Sequence, residues 1–419
     1  MESNIPIGQK NSTSSSTFSI LPKSPFGGFG GRQIGGAGTE DALDVTIDSL
    51  GNSYTVGFTT GKLFSAYSGG INDGFIAKYD KSGTLVCSNQ IGTSEDDLIT
   101  TVVTNKKNEA YALVYSNGDI FSYGLPPAGK IRSFLVKIGS DCSVTAHAFL
   151  SESPGYTPPK LTDIAFDSKD NVYIVNVHGG IGGPADTDTY IFKFDPSLSK
   201  KLGERVKSTP NVEAYTGIAI DKSDNLYVTA ADGYSMLTGG FLNLTLFKFD
   251  SDFKTVWQQN FATPTGGTFG RVALNSLDEP YVIGTTLDAL FKPLGSTRGD
   301  AIIIKFDPDN AVAPKGIQLH MGELILRADD FIFDKNDQIH LIAANITTTN
   351  TASAYFLLDS NLNEINRSDW GVGGSPSGVF AIAIDPAKTQ ISLSGATGEG
   401  LFGPYGGGVK DALIYNFTL

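Results

Sequence analysis

The run DVTIDSLGNSYTVG, residues 44–57, decides the fold: two short alternating apolar strands flank a turn that starts at Asp48 and ends before Tyr54. An Asp at the head of such a turn caps its backbone. A Gly or Asn further on accepts the positive φ that tight hairpins demand. The same pattern returns as TTVVTNKKNEAYALV (100–114), DIAFDSKDNVYIVN (163–176), GIAIDKSDNLYVTA (217–230), RVALNSLDEPYVIG (271–284), DFIFDKNDQIHLIA (330–343) and AIAIDPAKTQISLSG (381–395). After each copy comes a second alternating run that ends on a turn, such as GFIAKYDKSG (74–83) or AIIIKFDPDN (301–310), and then one more short strand. Repeats of four short strands at this period are propeller blades. The expected fold is therefore all-β: a seven-bladed β-propeller with four-stranded antiparallel blades and almost no helix. The first two strands of each repeat are apolar on both faces (VTI, IAI, VAL, FIF), which places them innermost, between neighbouring blades.

The seventh repeat, ending in ALIYNFTL (412–419), lacks a fourth strand. Residues 31–45, GRQIGGAGTEDALDV, parallel NQIGTSEDDLITT (89–101), in which Gln90–Gly92 form a fourth strand leading into the next repeat. By analogy Gln33–Gly35 supply the missing strand and close the ring, which removes an open sheet edge. Residues 1–30 read as a flexible polar leader and 31–419 as one propeller.

The runs GGAGTEDALDVTIDSLGNSYTVGFT (35–59) and GGINDGFIAKYDKSGTLVCSNQIG (69–92) resemble the SBBP family of bacterial β-propeller repeats. The resemblance implies a surface or extracellular setting and an interaction role. It implies no shared enzymatic activity and carries no catalytic residues onto this chain.

Composition bounds the partners. The 419 residues include 31 Lys and Arg against 44 Asp and Glu, a net charge of −13, with no basic cluster. Nucleic acid and anionic membrane surfaces are disfavoured, and no apolar run is long enough to span a bilayer. The leader lacks the basic start and apolar core of a signal peptide. Export with a removed signal, to the cell surface and through a lipid anchor, is the favoured location; retention inside the cell is the alternative. Cys87 and Cys142 lie in adjacent repeats but at different positions within the repeat. Their pairing stays open, and that stagger weighs against it.

The long, Gly-rich loops between second and third strands share one propeller face, while the opposite face carries only tight turns. A ligand belongs on the loop face. Its candidates are Phe64, Tyr67, Tyr123, His178, Tyr234, Phe291 and Tyr405, with Phe121 and Phe402 beside them, as sugar platforms or anchors for a protein partner. The recurrence of Leu-Phe at 63–64, 290–291 and 401–402 favours the plainer role of plugging each blade. Asp73, Asp188, Asp300 and Asp411 form an acidic column five residues before Lys78, Lys193, Lys305 and Asn416. Carboxylates suit Ca²⁺ or Mg²⁺, but repetition would spread these around the ring, so capping of turns or ion pairing is their expected role. Glu40, Asp41, Asp44, Glu95, Asp96, Asp97, Asp329 and Asp330 make the links between repeats acidic. No zinc motif, nucleophile elbow or phosphate loop is present. The expected function is a monomeric, non-enzymatic binding module for protein or glycan, adhesin-like, without a cofactor. The alternative is a propeller lyase or hydrolase acting on a polysaccharide or ester, with or without a divalent metal.

Overall fold

The computed structural model describes residues 28–153, 162–178, 188–207, 213–235, 240–294, 299–320, 325–346, 351–370, 378–398, 406 and 409–419. Residues 1–27 of the expected leader, together with Phe402 and Tyr405, lie outside them.

The chain is an all-β propeller of four-stranded antiparallel sheets, and the described residues contain one helical turn, a 3-10 turn at Ile120–Ser122. The first repeat sets the unit: Glu40–Ile47, Ser53–Thr59, Asp73–Tyr79 and Leu85–Ile91, hydrogen-bonded in that order. Five repeats form separate four-stranded sheets. The fourth and fifth are joined into one of seven strands, because the strand Thr255–Leu274 pairs with Gly240–Phe249 and then runs on to pair with Pro280–Thr286.

Turn chemistry accounts for the hairpins. Asp48 Oδ1 accepts from the Leu50 and Asn52 amides, each at 2.9 Å, and Oδ2 from the Asn52 side chain at 2.7 Å. The fourth turn residue is left-handed throughout: Gly51 in the first repeat, then Asn108, Asp170, Asp224, Asp278, Asp337 and Lys388. Asn and Asp tolerate that conformation best among residues with a Cβ. Register explains the Tyr and Lys columns. Tyr54 faces Lys78 across the second and third strands, as Tyr111 faces Lys137, Tyr173 Lys193, Tyr227 Lys248 and Tyr281 Lys305. Each ammonium lies 4.7–5.4 Å from its ring centroid, within cation–π reach.

The core lies between sheets. Tyr54, Val56 and Ile76 of the first repeat pack with Ile99, Val102, Val114 and Phe134 of the second, and comparable clusters join each pair of neighbours around the ring. The circle closes as expected from the N-terminal side, though the strand starts earlier than the sequence suggested. Gly28–Ile34 pairs antiparallel with Asp411–Thr418, Gln33 opposite Leu413. Ile34, Ala412 and Ile414 then pack on Ala42, Phe75 and Ala77 of the first repeat.

The stagger of the cysteines does not keep them apart. Cys87 sits on the outer strand of the first repeat and Cys142 in the last turn of the second, and the close stacking of the two sheets brings their Cα atoms to 5.8 Å, joined as a disulfide. It closes a loop of sequence separation 55. Replacing both cysteines by serine is expected to cost about 2–4 kcal/mol. The drop would be read as a lower urea midpoint, and an unchanged midpoint would refute it.

Candidate functional site

The innermost strands do not run straight. Their register slips at Ala42/Asp44, Ile99/Thr101, Tyr215/Gly217, Phe269/Val272, Ala328/Asp330 and Val379/Ala381. Such bulges re-aim a side chain locally. All but that of the fourth repeat border a cavity of about 390 Å³ at the central channel. Leu43, Phe269 and Phe380 give it apolar wall; Thr100, Thr101, Thr162 and Thr268 give it hydroxyls; Asp41, Asp44, Asp329, Asp330, Arg271 and Arg327 give it charge.

Arg271 crosses the channel. One terminal nitrogen lies 3.1 Å from both oxygens of Asp330 in the next repeat, and the other 3.4–3.5 Å from those of Asp44, 227 residues away in the first repeat. The three carboxylates around it also join neighbours through the backbone. Asp44 accepts from the Val102 amide at 2.9 Å, Asp163 from Ile218 at 3.2 Å and Asp330 from Ile382 at 3.0 Å, each amide belonging to the following repeat. Burial raises Asp44 to about 6, with Asp330 adding to the rise and Arg271 opposing it. Burial likewise lifts Asp163 to about 6 against the pull of Arg271. Burial works against the Arg271 charge, yet Asp330, Asp44 and Asp163 together hold the guanidinium above its ordinary value. Nearer the links between repeats, burial also raises Asp41 despite Lys410 at 3.5 Å. Arg327 donates to Asp329 at 2.7 Å.

Most of the aromatics proposed from sequence pack into the protein. Phe64 lies edge-on to Phe75 at 6.0 Å, Tyr234 edge-on to Phe241 at 5.4 Å, and Phe291 packs in the core shared by the fourth and fifth repeats. The Leu-Phe recurrence has a partner the sequence reading missed, a Gln on the outer strand. Gln90 Oε1 accepts from the Leu63 and Phe64 amides, and Gln318 Oε1 from Phe291 at 2.7 Å. Tyr67 turns back on its own loop, donating to the Gly70 carbonyl at 3.1 Å. Tyr123 keeps 47% of its surface exposed and stacks on Phe149, while Phe121 stacks on His147 at 4.5 Å. His178 ends a strand opposite Asp188; the side chains of both lie outside the described residues.

The acidic column caps loops. Asp73 Oδ2 accepts from the Ser68 amide at 2.8 Å and Gln90 Nε2 at 2.9 Å. Asp411 does the same with the Gly406 amide at 2.8 Å and Gln33 at 2.7 Å. Asp300 accepts from Gln318 at 3.3 Å. Among the described residues no three acidic, His or Cys side chains converge in the manner of a metal site. Of the acidic residues in the links, Asp41, Asp44, Asp329 and Asp330 meet at the cavity. Glu40 is occupied with Thr59 and the Gly36 amide, and Asp97 with Thr93.

Residues 31–65 match the SBBP β-propeller repeat, so the chain carries a repeat of that family there. No curated protein sequence matches the chain. Among solved structures it is similar to an ulvan lyase of polysaccharide lyase family PL25, bound to a glucuronic acid–rhamnose 3-sulfate unit, with a TM-score of 0.51, 12% identity, and 87% of this chain and 93% of that one covered. It is also similar to the polysaccharide lyase Uly1, with a TM-score of 0.53, 8% identity, and 90% and 89% covered. At such identities the likeness is one of fold.

Proposed function

We propose that this chain is an exported, monomeric propeller that acts on a polysaccharide, as a lyase or hydrolase, and takes sugar units into the cavity at its central channel. The observation that carries this reading is the cavity itself. It combines apolar wall, hydroxyls and carboxylates held above their ordinary range, the combination general acid–base chemistry uses near neutrality. The fold shared with two polysaccharide lyases supports the same reading. A purely non-enzymatic module acting through loop aromatics has less support, since Phe64, Tyr234 and Phe291 are spent on packing. The disulfide favours export to an oxidising compartment. The frame is read as seven blades, the joined sheet dividing where Thr255–Leu274 leaves one partner strand for the next.

Asp41 is assigned the proton-transfer role: it lines the cavity, titrates above its ordinary range and lies clear of the Arg271 network. A panel of polysaccharides scored for new reducing ends and for the ultraviolet absorbance of unsaturated sugar ends should reveal turnover. Asp41→Asn should lower it about a hundredfold or more without changing the melting temperature. Turnover that survives Asp41→Asn, or no turnover on any polysaccharide, would sink this reading.

A further inference from the structure

One aromatic group stands apart from the packed ones. In the second repeat Tyr123, on the loop before the strand Ile131–Ile138, is 47% exposed, and Phe149, on the outer strand Val144–Ser153, is 39% exposed. Leu125, two residues beyond Tyr123, is 67% exposed. The rings are ordered rather than scattered. Tyr123 stacks on Phe149, centroids 5.7 Å apart and planes 17° from parallel, and Phe121 stacks on His147 at 4.5 Å and 12°. All four stand edge-on to the buried Phe134 at 5.2–6.3 Å.

The backbone is bent out of its ordinary range to build this arrangement. Phe121 and Ser122 are consecutive left-handed residues, with φ of 58° and 61°. Every other described residue that bears a side chain and a positive φ sits in a hairpin turn, where the repeat requires it. The repeat makes no such demand at 121–122. Left-handed backbone is unfavourable for a bulky side chain and collects at sites that hold ligands. The loop is also fastened in place. Asp119 accepts from the Gly124 amide, and Arg132 donates to the Tyr123 and Gly124 carbonyls at 2.9 and 2.6 Å. Arg132 pairs with Glu152 at 3.1 Å as well, so the platform is rigid, apolar and without net charge of its own.

Size and chemistry decide the ligand. A protein interface engages roughly 20–30 residues a side, and this patch offers two open rings and a leucine. A pyranose is of matching size: its apolar C–H face lies against the electron-rich face of an aromatic ring, and its hydroxyls turn outward to polar groups at the rim. Among the described residues neither the Tyr123 hydroxyl nor the His147 ring nitrogens have a hydrogen-bond partner. Resting on the polysaccharide reading above for the class of ligand, we propose that Tyr123 and Phe149 form a second sugar site that holds neutral, gluco-configured units of the polymer. Such units keep every hydroxyl equatorial and so present flat C–H faces. The site shares no residue with the lining of the channel cavity.

Calorimetric titration of the full chain with cellohexaose, a neutral β-1,4-glucose hexamer, tests this. The hexamer should bind with an affinity that salt hardly changes, because no charge pair forms. Tyr123→Ala and Phe149→Ala should each weaken binding about tenfold, and the double variant should not bind detectably. Tyr123→Phe keeps the ring and should retain most of the affinity. Both side chains are open to solvent, so the melting temperature should hold. Should Phe149→Ala melt lower, Phe149→Leu keeps bulk without the ring and should lose binding in the same way. A β-1,4-galactose hexamer, whose axial hydroxyl breaks one face, should bind more weakly, and tighter binding of it would overturn the choice of sugar. No binding of either hexamer would overturn the proposal. So would hexamer binding that survives in the double variant, which would place the sugar in the channel and leave the reading above standing. Dimerisation that Tyr123→Ala abolishes, without sugar binding, would give the patch to a second copy of the chain instead. Turnover in Asp41→Asn bears on the channel alone, so the two readings fail separately.

Discussion

Arg271→Met is expected to destabilise the propeller by about 3–5 kcal/mol at neutral pH. The substitution keeps an unbranched apolar stem and removes the cation that three buried carboxylates share. Asp44 and Asp330 are 3% and 1% exposed, and both bond Arg271 directly; Asp163 lies in its field. The pH dependence distinguishes charge from packing. In the native protein Asp44 and Asp163 titrate at about 6, above their unfolded value of 3.8. The folded state therefore holds more protons than the unfolded state between those values, and these groups make stability fall as pH rises from about 4 to 6. Without Arg271 their values rise further, and the fall extends to higher pH. Urea unfolding at pH 5 and pH 8 should show a larger deficit for the variant at pH 8. Equal deficits at both values would mean that the arginine matters only as packed bulk.

Removing the closing strand should do as much damage by another route. Deletion through residue 36 takes away Gly28–Ile34, leaves Asp411–Thr418 with an unpaired edge, strips Gln33 from Asp411 and uncovers the Ile34 cluster. Burial of one such isoleucine contributes about 2–5 kcal/mol, and each orphaned buried polar group costs about 1–3 kcal/mol more. The sum is a large part of the 5–15 kcal/mol typical of a folded domain. The shortened chain should melt far lower and bind a dye for exposed apolar surface. Deletion through residue 27 retains the strand and should melt as the full chain does. A synthetic peptide of residues 28–36, added at concentrations well above its dissociation constant, should restore the melt in part. A shortened chain as stable as the full one would show that the ring does not depend on this closure.

The repeat unit was legible because its signals are local. Asp48 and Gly51, or Asp221 and Asp224, settle a turn within a few residues, and the tyrosine after it marks the next strand. Closure was legible for the same reason, since Gln33-Ile-Gly repeats Gln90-Ile-Gly, although the glycines before Arg32 concealed that the strand begins at Gly28. The cavity was not legible. Its decisive column, four residues before each turn head, reads Asp44, Thr101, Asp163, Gly217, Arg271, Asp330 and Ala381. Aspartate recurs there in three of the seven repeats, but the arginine occurs once, and Arg271 meets Asp44 only when the circle is complete. The cysteines misled because matching positions in a repeat are not the ones that touch: an outer strand of one sheet lies beside a turn of the next. The packing of the loop aromatics was legible in the Leu-Phe recurrence, but the glutamine that fastens that turn was not, because it lies 25 or more residues further along.

The pairing of Gln33 with Asp411 spans 378 residues, which has a consequence for biosynthesis. The strand Gly28–Ile34 leaves the ribosome long before Asp411–Thr418, the strand it binds. At about 5–20 residues per second, roughly 20–80 s pass between the making of the two. Throughout that interval the growing arc exposes two raw ends, the apolar flank of the first repeat and the sheet edge of whichever repeat is newest. Nascent chains on neighbouring ribosomes present the same two ends, and an N-terminal strand from one can seat in the arc of another. Slow translation should therefore raise the yield of strand-swapped dimers over closed single chains.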